Sequence, residues 1–374
     1  MSGADNRIAA AKRLVIKIGS ALLVDDASGH IRQEWLSALA DDISAAHARG
    51  QQVVVVSSGA IAVGRRHLGL TGRTLRLEEK QAAAATGQIR LAHAYQEALA
   101  RHRITVAQVL VTLDDTEERR RHINARSTLN QLLALGAVPL INENDTVATH
   151  EIRFGDNDRL AARVAAMISA DTLILLSDID GVYEADPRKQ PDAKHVPEIR
   201  EVNGSVEAMA GEAPPGYSSG GMVTKIQAAK IALGAGCHMA IARGHDPHPI
   251  RRLLDGERCT WFIAAANPRT ARKRWIAGGL KSHGEVIVDA GAEGALKQGR
   301  SLLPAGVVAV KGRFERGDPV TLRTADGRVI GRGLSAYSSE DAALIAGHKT
   351  GDIESILGYR GRDEVIHRDD LALD

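Results

Sequence analysis

Runs of uninterrupted apolar residues recur along the first two thirds of the chain and predict short buried strands. A strand that is apolar at every position is covered on both faces, which is typical of a mostly parallel sheet. The main runs are Leu14–Ile18, Val53–Val56, Val106–Val111, Val138–Ile141 and Thr172–Ser177. Two further strand-like runs follow at 238–241 and 260–263.

Segments whose apolar residues recur at helical spacing alternate with these strand-like runs. Trp35, Leu36, Leu39 and Ile43 recur at helical intervals, and Gly50 stands where that helix should end. Further helices are predicted over about 77–101, 115–135, 160–168 and 222–233. Strands and helices that alternate from residue 14 to about 263 predict a three-layer α/β/α sandwich.

The pattern changes at Ala277–Gly279 to short strands separated by Gly and Asp, at 285–288, 307–311, 319–323 and 329–333. This predicts a small barrel-like β domain. We therefore expect an α/β domain over 1–275, a β domain over 280–362 and a C-terminal tail over 363–374.

Composition narrows the class of protein. The chain of 374 residues is 44% hydrophobic and 25% charged, which is typical of a globular protein. A net charge of +2 gives no general reason to expect a polyanionic partner. Cys237 and Cys259 have no zinc or disulfide spacing, and neither a secretory pattern nor a membrane-spanning run is present. A cytoplasmic protein without a membrane partner is expected.

Polar groups follow several of the apolar runs. Lys17 interrupts the first strand, so it is either an edge-strand lysine that points to water or a cation beside a bound anion. Small residues from Ser57 to Gly64 lead from the second strand into a helix. Backbone N–H groups there would suit a phosphate or a carboxylate, although a plain capped turn is the alternative.

The segment from Val138 to Asp158 carries two clusters of carboxylates and amides after a strand, 142–145 and 155–158. Such groups are costly to bury, and ligands of open α/β sheets bind at the carboxyl ends of strands. A binding site is one explanation of these clusters. The alternative for both clusters is that they are ordinary turn residues, and the alternative for Asp158 is that its carboxylate stabilises the start of a helix.

Two stretches suit a nucleotide. Ser177 and Asp178 follow a buried strand, and a Gly-rich loop leads into a helix with Lys225 in its first turns. The loop lacks the Gly-Lys-Ser/Thr pattern of a P-loop.

These stretches together resemble the glutamate 5-kinase branch of the amino-acid kinase family, over nearly the whole chain. The C-terminal part resembles the PUA domain that many bacterial members carry. The motifs concerned are Val15–Ser20, Ser57–Gly64, Ile141–Asp145, Gly155–Asp158, Ser177–Asp178 with Gly181–Tyr183, and Gly220–Lys225.

The resemblance implies the amino-acid kinase fold, ATP with Mg²⁺ as donor, and the γ-carboxylate of L-glutamate as acceptor. It also implies proline as a feedback inhibitor and a homo-oligomer, a dimer or tetramer. A hand-off of the product to glutamyl phosphate reductase is a further expectation. Matching positions assign Ser58, Asp145 and Asn157 to glutamate, and Lys17, Ser177, Asp178, Ser219, Gly220, Gly221, Met222, Val223, Thr224 and Lys225 to ATP.

Charge suggests the catalytic roles within this resemblance. Lys17 and Lys225 would clamp the transferring phosphoryl group, and Asp158 would orient the two lysines or water on Mg²⁺. No residue is expected to bind a metal directly.

Two alternatives remain open at this point. One is another amino-acid kinase, such as an acetylglutamate kinase. The Lys-x-Gly at Lys17–Gly19 would fit any member, whereas the runs Ser57–Ile61 and Gly155–Asp158 resemble the glutamate 5-kinase branch in particular. An RNA-binding role is suggested by the PUA-like part, but 13 basic against 15 acidic residues from Lys281 onward, and 3% aromatics in the chain, argue against it.

Overall fold

A computed structural model describes residues 7–25, 28–147, 157–211, 221–279 and 282–374. The chain divides into two compact units, Met1–Pro268 and Arg269–Asp374. This boundary precedes the expected one at residue 275. The reason is that Arg272 forms an ion pair with Asp370 and therefore belongs with the C-terminal part.

The first unit is built on an eight-stranded sheet in the order β3-β4-β2-β1-β5-β9-β10-β8. The six strands from β3 to β9 pair in parallel, β10 is antiparallel to β9, and β8 is parallel to β10. A two-stranded ribbon, β6-β7, stands apart from it. The strands are β1 (Arg13–Ile18), β2 (Gln52–Ser57), β3 (Val106–Val111), β4 (Val138–Glu143), β5 (Thr172–Ser177), β6 (Val182–Tyr183), β7 (His195–Val196), β8 (Glu198–Ile199), β9 (His238–Arg243) and β10 (Cys259–Phe262).

Helices cover both faces of this sheet. They are α1 (Ser20–Leu23), α2 (Gln33–Ala48), α3 (Ala60–His67), α4 (Leu77–Ala100), α5 (Leu113–Glu117), α6 (Arg119–Ala134), α7 (Asn157–Met167), α8 (Gly204–Met209), α9 (Met222–Gly234) and α10 (Pro249–Leu254).

Alternation along the strands sorts their side chains between two apolar cores. Leu14 and Ile16 of β1 pack in a core with α2 and α4, whereas Val15 packs in the other core with α6, α7 and α9. Because side chains on a strand alternate between faces, Lys17 points to the same face as Val15. The chain therefore forms the predicted three-layer α/β/α sandwich, and Lys17 is directed toward α7 and α9.

The second unit has its own core and a five-stranded sheet in the order β12-β11-β13-β14-β15. Its strands are β11 (Gly284–Val288), β12 (Val307–Gly312), β13 (Pro319–Thr324), β14 (Val329–Leu334) and β15 (Leu371–Leu373). Its helices are α11 (Pro268–Gly279), which starts at the boundary between the units, α12 (Ala290–Lys297), α13 (Ser339–Ile345) and α14 (Ile353–Leu357).

Two details differ from the sequence prediction. The single helix expected over 115–135 is two helices, because Glu118 is extended and its carboxylate caps α6 by accepting from the N–H groups of Arg120 and Arg121. Residues 363–374 form no separate tail. Val365 and Ile366 are fully buried, and β15 pairs with β14.

Candidate active site

Four neighbouring parallel strands end at one edge of the sheet, in the order β4-β2-β1-β5. Lys17 is the next-to-last residue of β1 and lies beside Val56 of β2 and Leu175 of β5 in the strand register. Ser58 follows β2, and Ser177 ends β5. Since the carboxyl ends of parallel strands meet at one edge, polar residues far apart in the chain come together there.

The Lys17 side chain is buried within this site, with 7% of its surface exposed. Its strand is central in the sheet, so the interpretation as an edge lysine that points to water is wrong. Its Nζ lies 2.7 Å from Oδ1 of Asp158. A buried ammonium group is stable only when it is paired in this way.

Asp158 bridges two lysines. It lies in the first turn of α7 and is fully buried. Its Oδ2 lies 3.1 Å from Nζ of Lys225 and accepts a hydrogen bond of 2.9 Å from the Thr224 hydroxyl. Burial raises the pKa of Asp158, but the charges of Lys17 and Lys225 outweigh this and hold it below the usual range. A favourable helix-start position alone does not account for a carboxylate that contacts two ammonium groups.

Helix α9 supplies the second lysine. Lys225 is 4% exposed and lies in the first turn, where Oγ1 of Thr224 also lies 2.8 Å from the Gly221 carbonyl oxygen. The helix begins at Met222, as the sequence predicted. Ser219 and Gly220 lie outside the described residues.

Asn157 organises the polar groups next to this lysine pair. Its Nδ2 lies 2.7 Å from Oγ of Ser58, 3.2 Å from the Ser57 carbonyl oxygen and 3.3 Å from Oδ1 of Asn142. Asn157 is 5% exposed, so it ties the end of β2, the end of β4 and the start of α7 together. The structure thus brings Ser58 and Asn157 into contact. The motif residues 155 and 156 lie outside the described part.

Asp145 follows β4 in a different environment. It is 8% exposed, and its Oδ2 lies 3.5 Å from Nε2 of Gln88. Burial raises the pKa of Asp145 to about 6, although the hydrogen bond from Gln88 lowers it. Among the described residues Asp145 has no ion pair, in contrast to Asp158. It is therefore a carboxylate suited to a cationic group from a ligand.

Ser177 and Asp178 lie at the end of β5. The Ser177 hydroxyl donates to Oδ1 of Asp178 at 2.9 Å, and Asp178 is exposed. Met222 and Val223 are half-buried at the start of α9. These residues border the same edge of the sheet, but no direct contact joins Ser177 or Asp178 to the described part of the lysine cluster.

Comparison with known proteins shows to which family this architecture belongs. The family model described as "Amino acid kinase family" matches residues 12–243, which is more than half of the chain. The chain belongs to the amino acid kinase family. Within it, the chain is 65% identical over 367 residues to a "Glutamate 5-kinase" of Paramagnetospirillum magneticum, covering 98% of this chain and 99% of that relative.

Two further relatives of this kinase carry the same name. The proteins of Gluconobacter oxydans and Rhodospirillum rubrum are 58% and 59% identical to it, and the matches cover 98% and 96% of this chain and 97% and 96% of those relatives. A PUA domain model matches residues 284–357 in the second unit. The expected amino-acid kinase fold and the expected PUA domain are both confirmed.

Two polar residues of the site were not predicted from the sequence of this kinase: Tyr95, which shares a hydrogen bond of 3.1 Å with Ser57, and Gln88, which contacts Asp145. Asn142 lies in the predicted 142–145 cluster but was given no role of its own; its side chain accepts from the Glu143 N–H at 2.9 Å. A signal was present for Gln88. It stands four residues after Ala84 and three before Leu91, both buried, so helical periodicity places it on the buried face of α4.

Within the described ranges of this kinase, no cluster of three or more His, Cys, Asp or Glu side chains is arranged to hold a metal ion. No helix in the same part of the chain has the length and apolar character needed to cross a membrane.

Proposed function

We propose that the chain transfers the γ-phosphoryl group of ATP to the γ-carboxylate of L-glutamate and so forms L-glutamyl 5-phosphate, the first step of proline biosynthesis from glutamate. The observation that carries the proposal is the 65% identity, over 98% of the chain, to a relative named "Glutamate 5-kinase". The geometry of the strand-end site agrees with it, and the three curated relatives cited above all carry that name.

The acceptor needs no general base. A glutamate side chain has a reference pKa of about 4.3 and is ionised at neutral pH. One carboxylate oxygen forms the new bond to the γ-phosphorus, while the bond from that phosphorus to the β,γ-bridging oxygen breaks and ADP leaves with the electron pair. The obstacle is the approach of one anion to another, so catalysis consists of positioning and charge neutralisation.

Lys17 and Lys225 suit that task. Two buried ammonium groups would repel each other, but the carboxylate of Asp158 lies within 2.7 and 3.1 Å of their Nζ atoms and leaves the group of three with a net charge of +1. We propose that the lysines stabilise the transferring phosphoryl group and its leaving oxygen. Asp158 holds both lysines in place and does not touch the phosphates.

The acceptor would lie on the other side of Asn157. In this assignment the α-ammonium of glutamate binds the carboxylate of Asp145, and Ser58 with Asn157 holds a substrate carboxylate. Asp145 is buried without an ion pair in the described residues, and Ser58 and Asn157 are hydrogen-bonded to each other. Both features fit a zwitterionic amino acid.

ATP would lie beside Ser177, Asp178 and the residues from 219 to 225, of which Ser219 and Gly220 are not described. Mg²⁺ fits as an ion that enters with the phosphates. Asp158 is occupied by two ammonium groups, whereas Asp178 is an exposed carboxylate able to bind water on the ion. Mg²⁺ is usually held by substrate phosphates, water and one or two carboxylates, and it supplies charge neutralisation.

Several expectations remain part of this proposal. Proline would act as a feedback inhibitor, the chain would form a homo-oligomer, and glutamyl phosphate reductase would receive the product. A cytoplasmic location is also proposed.

The test is a hydroxylamine-trapping assay with ATP, Mg²⁺ and a panel of acceptors: L-glutamate, L-aspartate and N-acetyl-L-glutamate. We expect the hydroxamate with glutamate and little with the others, because an acyl phosphate reacts readily with hydroxylamine. Hydroxamate with N-acetylglutamate and none with glutamate would assign a different amino-acid kinase activity. Addition of proline to the same assay tests the inhibition.

A further inference from the structure

Gln88 is a buried polar residue on α4, the long helix that packs against α2 and α3. It is 5% exposed, and its Nε2 donates to the Glu143 carbonyl at 2.9 Å and lies 3.5 Å from Oδ2 of Asp145. Glutamine is mostly exposed in proteins, and a buried amide is costly unless it is hydrogen-bonded. One side-chain amide thus contacts both the end of β4 and the carboxylate that follows it.

The backbone around Gln88 is fixed against α3. Glycine is required at the contact, since a Cβ on Gly87 would lie 1.8 Å from the Ala60 carbonyl oxygen and one on Gly64 would lie 1.8 Å from the Ala83 carbonyl oxygen. The two helices therefore touch backbone to backbone, at the residue that precedes Gln88.

Farther along the same helix, the hydroxyl of Tyr95 lies 3.1 Å from Oγ of Ser57 at the end of β2. Helix α4 is thus attached to the two elements that flank Ser58, namely β2 and α3. Its position relative to the proposed acceptor site is set by contacts on both sides of Gln88.

We propose that Gln88 is a positioning residue of the acceptor site, which acts through Asp145 and the end of β4 to hold the carboxylate that binds the α-ammonium of the acceptor. This inference rests on the proposed function. It adds a residue on a helix that carries none of the groups assigned to glutamate or ATP.

An amide suits this position better than a cation would. Its N–H groups can stabilise the ionised form of Asp145 without neutralising it, so the negative charge stays available for an ammonium group. A lysine here would compete with the ligand for the same carboxylate. Burial raises the pKa of Asp145 to about 6, and the hydrogen bond from Gln88 opposes that rise.

The experiment compares Gln88→Met, which keeps an unbranched side chain but removes both N–H donors, with Gln96→Met on the exposed side of the same helix. We expect Gln88→Met to raise the KM for glutamate about tenfold, which corresponds to about 1.4 kcal/mol. The KM for ATP should stay unchanged and kcat should change less than about twofold, because the transferring group is not touched. Gln96→Met should alter none of these constants.

A pH profile supplies the readout that a purely structural role would leave unchanged. Loss of the amide donor removes the interaction that lowers the pKa of Asp145, so the acidic limb of kcat/KM for glutamate should move to higher pH in Gln88→Met. A second variant, Gln88→Glu, keeps the side-chain shape but places a second carboxylate beside Asp145. It should move the limb further in the same direction.

The outcomes separate the two hypotheses. If the wild-type protein forms no glutamate-dependent hydroxamate, the proposed function fails and this inference fails with it. If the wild type is active but Gln88→Met keeps its KM for glutamate and its pH limb, or raises both KM values equally, only the positioning role is refuted.

Discussion

Replacement of Asp158 by asparagine tests whether one buried carboxylate keeps two lysines in the site. The substitution keeps the side-chain shape and removes the charge that lies 2.7 Å from Lys17 and 3.1 Å from Lys225. With an effective dielectric constant of about 20, each ion pair at these distances has roughly 5–6 kcal/mol of attraction. Much of this is offset by desolvation of three buried charges, and removal of one partner from a buried pair typically costs about 3–5 kcal/mol. We therefore expect Asp158→Asn to lower the free energy of unfolding of the first unit by that amount.

The assay is denaturant unfolding at pH 7, followed by tryptophan fluorescence. Trp35 and Trp261 are buried in the first unit, at 5% and 4% exposure, whereas Trp275 of the second unit is already 48% exposed, so the change in signal on unfolding comes mainly from the unit that contains Asp158. The control is Asp255→Asn, the same chemical change in an exposed pair with Arg251 at 3.9 Å. An exposed ion pair contributes about 0–1 kcal/mol. In the same samples, kcat should fall about 100-fold or more in Asp158→Asn, as it does when a transition-state donor is lost.

The stabilisation that Asp158 contributes should depend on pH in a definite direction. The two lysines hold the pKa of Asp158 below its ordinary value of 3.8, so the folded state binds this proton less tightly than the unfolded state does. The stabilisation is therefore complete above that value and is lost only as the pH falls through the lower, folded-state pKa. The stability difference between wild type and Asp158→Asn should stay constant between about pH 5 and 7. A variant as stable as the Asp255→Asn control would refute the bridging role of Asp158.

Substitutions of Lys225, Asp145 and Gly87 test the proposed clamp, the acceptor carboxylate and the helix contact beside Gln88. Lys225→Ala should lower kcat about 100-fold or more while the KM for glutamate changes only a few-fold, and steady-state kinetics with an unchanged kcat would exclude the proposed clamp. The kcat/KM of the wild type for glutamate should fall as the pH drops through about 6, because Asp145 takes up a proton there. Asp145→Asn should raise the KM for glutamate and should not show this fall in kcat/KM at acidic pH. Calorimetry should find the binding of ATP to Asp145→Asn unchanged. Gly87→Ala places a Cβ 1.8 Å from the Ala60 carbonyl oxygen and should cost about 1–3 kcal/mol in denaturant unfolding. Gly234→Ala, where no atom lies within 4 Å, is the control, and equal effects of the two substitutions would contradict the close helix contact.

Much of the fold was predictable because strands buried on both faces leave an unambiguous apolar run. The strand Thr172–Ser177 has the same bounds in the sequence prediction and in the structure. The failures occur where the decisive interaction leaves no mark in the apolar pattern. Leu371–Leu373 becomes a strand only through its distant pairing with β14, and the break at Glu118 depends on a local contact, in which its carboxylate caps the helix that follows.

The site was predictable as a set of residue types but not as an arrangement. Alternation along β1 puts Lys17 on the face of Val15, but only the packing of α7 and α9 on that face brings Asp158 and Lys225 to it. Gln88 was missed for a similar reason. Its periodicity marks it as buried, whereas its partner Asp145 becomes apparent only when α4 lies beside the end of β4.

Asp145 and Asp158 lie close together in the chain, but their surroundings change the pKa of the two carboxylates in opposite directions. Asp145 and Asp158 are both buried, and burial alone would raise the pKa of each. Two lysines reverse the shift at Asp158, so that carboxylate stays ionised and its charge is already used inside the protein. Asp145 receives only a neutral amide in the described part of the chain, and its charge remains to be balanced by a ligand. An ammonium group of the acceptor would supply that balance, and its arrival would lower the pKa of Asp145. Binding of glutamate near pH 6 should therefore be accompanied by proton release, which is measurable as a buffer-dependent enthalpy and should be absent in Asp145→Asn.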